Sequence, residues 1–273
     1  DGSNPRRIAS EMGSRPGNLI WAADGSGVYF TAQVRGVSNL YFAPLSGEPR
    51  PVTEGNHMLS VTDMNEDGHA VGTLTSYHVP QNLIALDVAS PSNIRTLHVS
   101  NENVLSEVKL GEVEEIWYTS VDDLRIHGWI VKPPDFSPKE QWPLAVNVHG
   151  GPHVMWSPAI HAMWLEWQLH AARGYVVFFC NPRGSDGYGD DFRTKIHDNW
   201  GEADMNDILS GVDAVVAQGY IDETRMAVTG GSYGGFMTAW VIGHDQRFAA
   251  AVSQRGVYQM MSFYGTTDVP RLI

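Results

Sequence analysis

A serine flanked by glycines is the first candidate for chemistry in this 273-residue sequence. Ser232 lies in the segment "VTGGSYGGF", with Gly230 and Gly234 two positions to either side. This spacing is typical of a nucleophile elbow, in which a strand turns sharply into a helix and exposes the serine hydroxyl. A short apolar run precedes Ser232 and a helical pattern follows it. Ser232 is therefore predicted to be a nucleophile for acyl transfer.

A serine nucleophile needs hydrogen-bond donors for the negative charge that develops on the substrate oxygen. In a nucleophile elbow one donor is the backbone N–H of the next residue, which here is Tyr233. The second donor comes from a loop that follows an earlier strand. The turn "HGGP" at residues 149–152 follows the apolar run "PLAVNV" and fits that role. Its glycines would let a backbone N–H approach the substrate closely.

No histidine in the sequence is suitably placed to act as the general base for Ser232. In proteins with a nucleophile elbow the acidic residue and then the histidine follow the serine along the chain. His149 precedes Ser232, which argues against His149 as the general base. The one histidine after Ser232 is His244, on the same predicted helix. At a rise of about 1.5 Å per residue it would lie about 18 Å from the serine. The chain is therefore interpreted as an internal fragment, and a companion polypeptide of about a hundred residues is expected to supply the acid and the histidine.

From about residue 108 onward, strands alternate with helices. Continuous apolar runs such as "YVVFFC" indicate strands covered on both faces. The segments between them have helical spacing and end at a glycine, as at Gly174 and Gly219. This alternation predicts a doubly wound, mostly parallel sheet. Residues 108–273 are predicted to form an α/β-hydrolase catalytic domain whose C-terminal part is missing.

Residues 1–107 follow a different pattern. Short alternating segments are separated by turn clusters, which is typical of antiparallel strands. A shift of 43 positions superimposes Asp24-Gly25 on Asp67-Gly68 and Asn39 on Asn82. This period is the length of a β-propeller blade, so the region is predicted to be a partial propeller of about two blades. A generic β-sandwich is the alternative.

Composition limits the cellular environments and the classes of partner that are expected for this protein. The formal net charge of -13 argues against a nucleic-acid partner. The single cysteine, Cys180, excludes an internal disulfide and is expected to fill the core. Apolar stretches are short and no signal-peptide pattern is found, which predicts a soluble, cytoplasmic protein without a membrane partner. No metal or organic cofactor is expected, because metal-binding and phosphate-binding motifs are lacking. The oligomeric state is left open, a homo-oligomer included.

Four motifs carry a resemblance to a known family. They are "HGGP", "NPRGSDGYGDDF", "WGEADMNDI" and "GGSYGGFMTAW", and they occur in this order behind the repeat. Together they resemble the prolyl oligopeptidase family of serine peptidases, and "AAVSQRGVYQMMSFYGTTD" is most similar to its acylaminoacyl-peptidase branch. The resemblance implies that Ser232 is the nucleophile and that Tyr233 and Gly151, or alternatively Gly150, donate to the oxyanion. It also implies that the Tyr188 hydroxyl assists the oxyanion; packing beside the site is the alternative.

Three further residues are singled out. Arg255 follows a strand and is predicted to bind a carboxylate or acyl group of the substrate, with a solvated surface arginine as the alternative. Trp200 and Asp204 match a family motif and are expected to pack and to cap the start of their helix. The activity implied is hydrolysis of short peptides, N-acylated ones included, through an acyl-enzyme. A carboxylesterase and a catalytically incomplete scaffold are the alternatives.

Overall fold

The computed structural model describes Ile8, Met12 and residues 14–269. This part of the chain contains two sheets and divides into two compact units. The described residues up to Val108, with Ser157–Trp164 and Asp186–Asp190, form the first unit; Lys109–Trp156, Leu165–Ser185 and the described residues from Asp191 onward form the second. None of the helices in these ranges combines the length and the apolarity that crossing a membrane requires.

The first unit contains eight strands in a repeated four-strand pattern. They are β1 (Pro16–Trp21), β2 (Gly27–Val34), β3 (Val37–Pro44), β4 (Arg50–Pro51), β5 (Met58–Met64), β6 (His69–Thr75), β7 (Asn82–Asp87) and β8 (Arg95–His98), followed by a short helix, α1 (Glu102–Leu105). Strands β1 to β4 pair antiparallel in chain order, and so do β5 to β8. A parallel bridge between Ser38 and Met58 joins the two sets. The predicted antiparallel strands are confirmed.

The sequence repeat corresponds to equivalent positions in the two four-stranded sets. Gly25 and Gly68 both have positive φ, 71° and 85°, in the turn between the first and second strand of each set. Asn39 and Asn82 lie in the third strands, and both are buried. The repeat is therefore one four-stranded antiparallel unit, and its membership of a propeller stays a prediction.

The second unit is built on a six-stranded sheet. Its strands are β9 (Val113–Thr119), β10 (Arg125–Val131), β11 (Trp142–Val148), β12 (Val176–Asn181), β13 (Ile221–Gly231) and β14 (Ala250–Gln254), in the order β14-β13-β11-β12-β10-β9. The four strands β14, β13, β11 and β12 are parallel. Strand β10 pairs antiparallel with β12 and forms a hairpin with β9. The predicted mostly parallel sheet is confirmed, with this hairpin at one edge.

In the part of the chain that the structure describes, five helices follow α1. They are α2 (His161–Ala172), α3 (Asp190–Thr194), α4 (Ala203–Val216), α5 (Tyr233–His244) and α6 (Met260–Thr266). Helix α4 buries Ile208, Val212 and Val215, which recur at helical spacing along one face. Gly219, with φ 87°, lies just beyond its end. Helices α2, α4 and α5 were expected from the sequence, whereas α1, α3 and α6 were not.

Strand β14 departs from the expectation that the strands are covered on both faces. Strand β12 is buried at every position, but Val252 in the middle of β14 is exposed. Among the described residues β14 is the terminal strand of the sheet, with a partner strand on one side only. An apolar run indicates that a strand favours a buried position. The position of the strand in the sheet decides how much of the strand is covered.

A buried ion pair joins several elements of the second unit. Asp207 on α4 is fully buried and accepts hydrogen bonds from Arg183 Nη2 at 2.7 Å and Nε at 2.9 Å. The same carboxylate accepts a hydrogen bond from Ser120 Oγ in the β9–β10 turn at 2.5 Å. Arg183 also reaches Asp122 on the same turn. The charged cluster therefore ties α4, the β9–β10 turn and the loop after β12 to one another.

Candidate active site

Ser232 occupies a tight turn between β13 and α5. Its φ of 60° and ψ of -122° lie in a region that side chains other than glycine rarely adopt. The Ser232 N–H donates to the Gln254 carbonyl at 3.0 Å, and its own carbonyl accepts from the Gly235 N–H at 2.9 Å. These bonds hold the backbone in that conformation while the residue stays exposed. The geometry is that of the predicted nucleophile elbow.

The glycines beside Ser232 are required by space. A Cβ on Gly234 would lie 2.2 Å from the Val148 carbonyl oxygen, and one on Gly230 would lie 2.6 Å from the same atom. Both contacts are with backbone, which cannot rotate away as a side chain can. These residues leave room where β11, β13 and α5 approach one another, as the sequence predicted.

Gly234→Ala is therefore expected to destabilise the protein by about 2–3 kcal/mol, the cost of overpacking a close backbone contact. Gly243→Ala on the same helix is the control, because a Cβ there meets nothing within 4 Å. That change should leave stability unchanged or raise it by up to about 1 kcal/mol. Urea denaturation measures both, and equal stability of the two variants would contradict the steric argument.

The glycine turn after β11 lies beside Ser232. A Cβ built on Gly150 would be 3.9 Å from Ser232 Oγ, and Gly151 lines the same cavity as Ser232. Tyr233 is the first residue of α5, so its N–H has no intrahelical acceptor. The structure thus brings the predicted nucleophile, Ser232, together with three of the residues predicted to serve the oxyanion: Gly150, Gly151 and Tyr233.

His149 supports this turn from the interior. Its Nδ1 lies 2.7 Å from the Gly150 carbonyl oxygen, and its Nε2 lies 2.9 Å from Ser185 Oγ. A carbonyl only accepts, so Nδ1 carries the proton that it donates. The Gly150 carbonyl and the Gly151 N–H belong to one planar peptide, so this bond orients the predicted oxyanion donor. His149 is fully buried, which fits the expectation that it is not the general base.

Burial lowers the pKa of His149 to about 4, an effect that its hydrogen bond to Gly150 only partly opposes. In the unfolded chain a histidine takes up its proton below about pH 6.5. The stability that neutral His149 contributes is therefore present above pH 6.5 and is lost as the pH falls towards 4.

His149→Gln should flatten this pH dependence. Between pH 7.5 and 4.5 the wild-type protein is expected to lose about 2–3 kcal/mol more stability than the variant, because only the wild type carries this titration. Urea denaturation series at several pH values provide the measurement. Parallel stability curves for the two proteins would show that His149 is not the group responsible.

Ser232 lines a cavity of about 560 Å³. Its wall includes Gly151, Tyr233, Trp200 and Arg255. The Arg255 guanidinium lies beside Gly231, the residue that precedes Ser232. A Cβ built on Gly231 would be 3.0 Å from Arg255 Nη2. Arg255 is exposed and lines the cavity, so its predicted role in binding substrate stays a proposal.

For two residues the structure shows contacts beyond those predicted. Trp200 packs against Tyr233 and Phe236, as expected, and it also lines the cavity. Asp204 lies inside the first turn of α4, after Glu202, and its carboxylate accepts the first-turn N–H of Met205 at the start of the helix. The same carboxylate also accepts hydrogen bonds from the Gly201 N–H and the Tyr233 hydroxyl, which the sequence did not predict. Burial raises the pKa of Asp204, while these bonds act in the opposite direction.

Three further residues from the sequence analysis have these surroundings. Tyr188 is in a loop that belongs to the first unit, and its oxyanion role stays a prediction. His244 ends α5 and its Nδ1 lies 2.8 Å from the Trp240 carbonyl oxygen, as a residue at the end of that helix should. Cys180 is buried, and burial raises the pKa of its thiol to about 12, which makes it unreactive.

Within the described ranges the cavity wall includes no histidine, and no cluster of histidine, cysteine or carboxylate side chains could hold a metal ion. Three buried polar residues near the site were missed in the sequence analysis. Ser185 contacts His149, and Arg183 pairs with Asp207. Asp207 could have been noticed, because a charged residue on the apolar side of a helix usually has a buried partner.

A parallel sheet with a strained serine between a strand and a helix, beside a glycine turn and a cavity, defines an α/β protein with a nucleophile elbow. Residues 161–272 match the model of the prolyl oligopeptidase family, and the chain belongs to that family.

The relatives are peptidases. The chain is 33% identical over 262 residues to the uncharacterized peptidase YuxL of Bacillus subtilis, covering 95% of this chain and 39% of that protein. It is 31% identical over 254 residues to dipeptidyl-peptidase 5 of Porphyromonas gingivalis, covering 92% of this chain and 36% of that protein. The acylaminoacyl peptidase of Pyrococcus horikoshii superimposes with a TM-score of 0.81 at 29% identity, over 95% of this chain and 40% of that one. The chain thus spans about two fifths of the length of these relatives.

Proposed function

We propose that this chain carries the nucleophile of a serine peptidase that hydrolyses short peptides, N-acylated ones included. The observation that carries the proposal is the exposed, backbone-strained Ser232 at the opening of a cavity that the glycine turn also lines. Relatives described as dipeptidyl and acylaminoacyl peptidases support a peptide substrate. They favour it over the carboxylester that was the alternative, although both reactions share one site geometry.

In the first step Ser232 Oγ attacks the substrate carbonyl carbon, and a general base takes the hydroxyl proton. The carbonyl oxygen becomes an oxyanion, which we assign to the N–H groups of Tyr233 and Gly151. The C–N bond then breaks, the amine leaves with the proton, and the acyl group stays on Ser232 as an ester. The same base then deprotonates a water molecule, which attacks the ester; the ester C–O bond breaks, the acyl group leaves as a carboxylic acid, and the base returns the proton to Ser232 Oγ.

The general base and its acidic partner are proposed to come from polypeptide outside the described residues. The described cavity wall offers no histidine, and His149 is buried and bonded to Gly150 and Ser185. A companion polypeptide or a further stretch of the same chain would complete the triad. We therefore propose that the described residues alone turn over no substrate.

The substrate side of the cavity and the first unit also enter the proposal. Arg255 is suited to bind a substrate carboxylate or acyl carbonyl, because its guanidinium lies next to Ser232 and presents several donors. The two four-stranded sets of the first unit are proposed to be β-propeller blades that screen substrates by size.

Labelling of the full-length protein with a fluorophosphonate tests the proposal. The probe phosphonylates an activated serine, and mass spectrometry of a proteolytic digest should place the adduct on Ser232. Turnover of an acylated peptide, a free peptide and a short ester would then rank the substrates, with a peptide expected to be hydrolysed. An adduct on another residue, or ester turnover without any peptide turnover, would contradict the proposal.

A further inference from the structure

A single carboxylate connects two walls of the active-site cavity. Asp204 Oδ1 accepts the Gly201 N–H at 2.8 Å and the Met205 N–H at 3.1 Å. Its Oδ2 accepts the Tyr233 hydroxyl. Asp204 and Tyr233 are both buried, at 0% and 1% exposure, so these bonds are shielded from water. All the partners are donors, and the two carboxylate oxygens accept from each of them.

Both ends of this connection border the nucleophile. Tyr233 follows Ser232 directly, and its backbone N–H is the proposed oxyanion donor. Trp200 precedes Gly201 and lines the cavity. The Trp200 ring stands edge-on to the Tyr233 ring, with centroids 4.9 Å apart and an interplanar angle of 85°. A displacement of Asp204 would therefore move the oxyanion donor and the cavity wall together.

We propose that Asp204 is a positioning residue, whose carboxylate holds Tyr233 and the Trp200–Gly201 turn in the geometry that oxyanion stabilisation requires. This inference rests on the proposed function. Asp204 acts through Tyr233 and is not assigned a contact with substrate. Two apolar side chains in place of Asp204 and Tyr233 would fill the same space without burying a charge. A hydrogen-bonded carboxylate, in contrast, fixes the orientation of the groups that donate to it.

The effect should appear in the chemical step. Misplacing a catalytic group by about 1 Å can cost on the order of 10²-fold in rate. Tyr233→Phe keeps the ring and the backbone N–H but removes the hydroxyl that Asp204 holds. Asp204→Asn keeps an oxygen for the two backbone N–H groups but puts an amide donor opposite Tyr233, so the charge-assisted bond that the Tyr233 hydroxyl donates is lost. Each variant is expected to lower kcat by about 10- to 100-fold and to change KM by less than about threefold.

A double variant and a control separate positioning from a general loss of stability. Because both substitutions remove the same charge-assisted bond, Asp204→Asn combined with Tyr233→Phe should lose no more kcat than the single variant with the larger loss. Tyr220→Phe is the control, since Tyr220 is a buried residue whose hydroxyl bonds Gln218 at 2.7 Å and which does not line the cavity. The control should keep its kcat within about twofold of the wild type.

The measurements use the full-length protein, and kcat is obtained by dividing the maximal rate by the concentration of sites that a fluorophosphonate titrates, so that only folded molecules count. Absence of labelling in the wild type would contradict the proposed function. A labelled wild type with unchanged kcat in Tyr233→Phe would overturn the positioning role alone. A double variant whose losses multiply would overturn it as well, because the two residues would then act independently.

Discussion

Ser232→Ala in the full-length protein is expected to abolish fluorophosphonate labelling and to lower kcat for peptide hydrolysis by about 10³- to 10⁶-fold. The variant removes the oxygen proposed to form the acyl-enzyme, while the proposed oxyanion donors, Tyr233 and Gly151, remain. Residual turnover would come from a water molecule that attacks substrate held at these donors. Substrate binding should change little, so the loss should appear in kcat.

The matched control for this loss is Ser210→Ala. Ser210 lies on α4 and is not among the residues that line the cavity. It should label and turn over at the wild-type rate, and both variants should unfold at the wild-type temperature. Labelling that survives in Ser232→Ala would show that another residue is the nucleophile.

Arg183→Met is expected to lower the free energy of unfolding by about 3–5 kcal/mol. The substitution keeps most of the side-chain volume but leaves the carboxylate of Asp207, which is 0% exposed, without its cation. Removing one member of a buried pair costs more than the pair itself contributes, because the remaining charge has lost its hydration and its partner. Thermal or urea denaturation provides the measurement.

The control for Arg183 is an arginine that pairs at the surface. Arg225 bonds Asp222 at 2.6 Å but is 53% exposed, so Arg225→Met should cost no more than about 1 kcal/mol. A similar loss in both variants would mean that burial of the Arg183 pair does not determine its contribution. A large loss confined to Arg183→Met would also support its role in holding the loop that carries Ser185 behind His149.

Sequence patterns predicted the parts of the site that depend on neighbours along the chain. The apolar run, the serine and its spaced glycines specify a strand, a tight turn and a helix within residues 221–244, because each step depends on local sterics and periodicity. The turn at residues 149–152 was predicted on the same basis. The roles of Tyr188 and Arg255 depend on substrate contacts, and they stay predictions.

The sequence by itself determined the alternation of strands and helices, the nucleophile elbow and the family, since these follow from short-range spacing and from motifs in a set order. The tertiary structure decided that Asp204 bonds Tyr233, that Asp207 bonds Arg183 and that Trp200 faces the cavity. Those partners come from separate elements, and their contact follows from strand order and helix placement, which no local period encodes. It also decided that β14 is the exposed, terminal strand of the sheet among the described residues, because a strand's hydrophobicity is local but strand order is not.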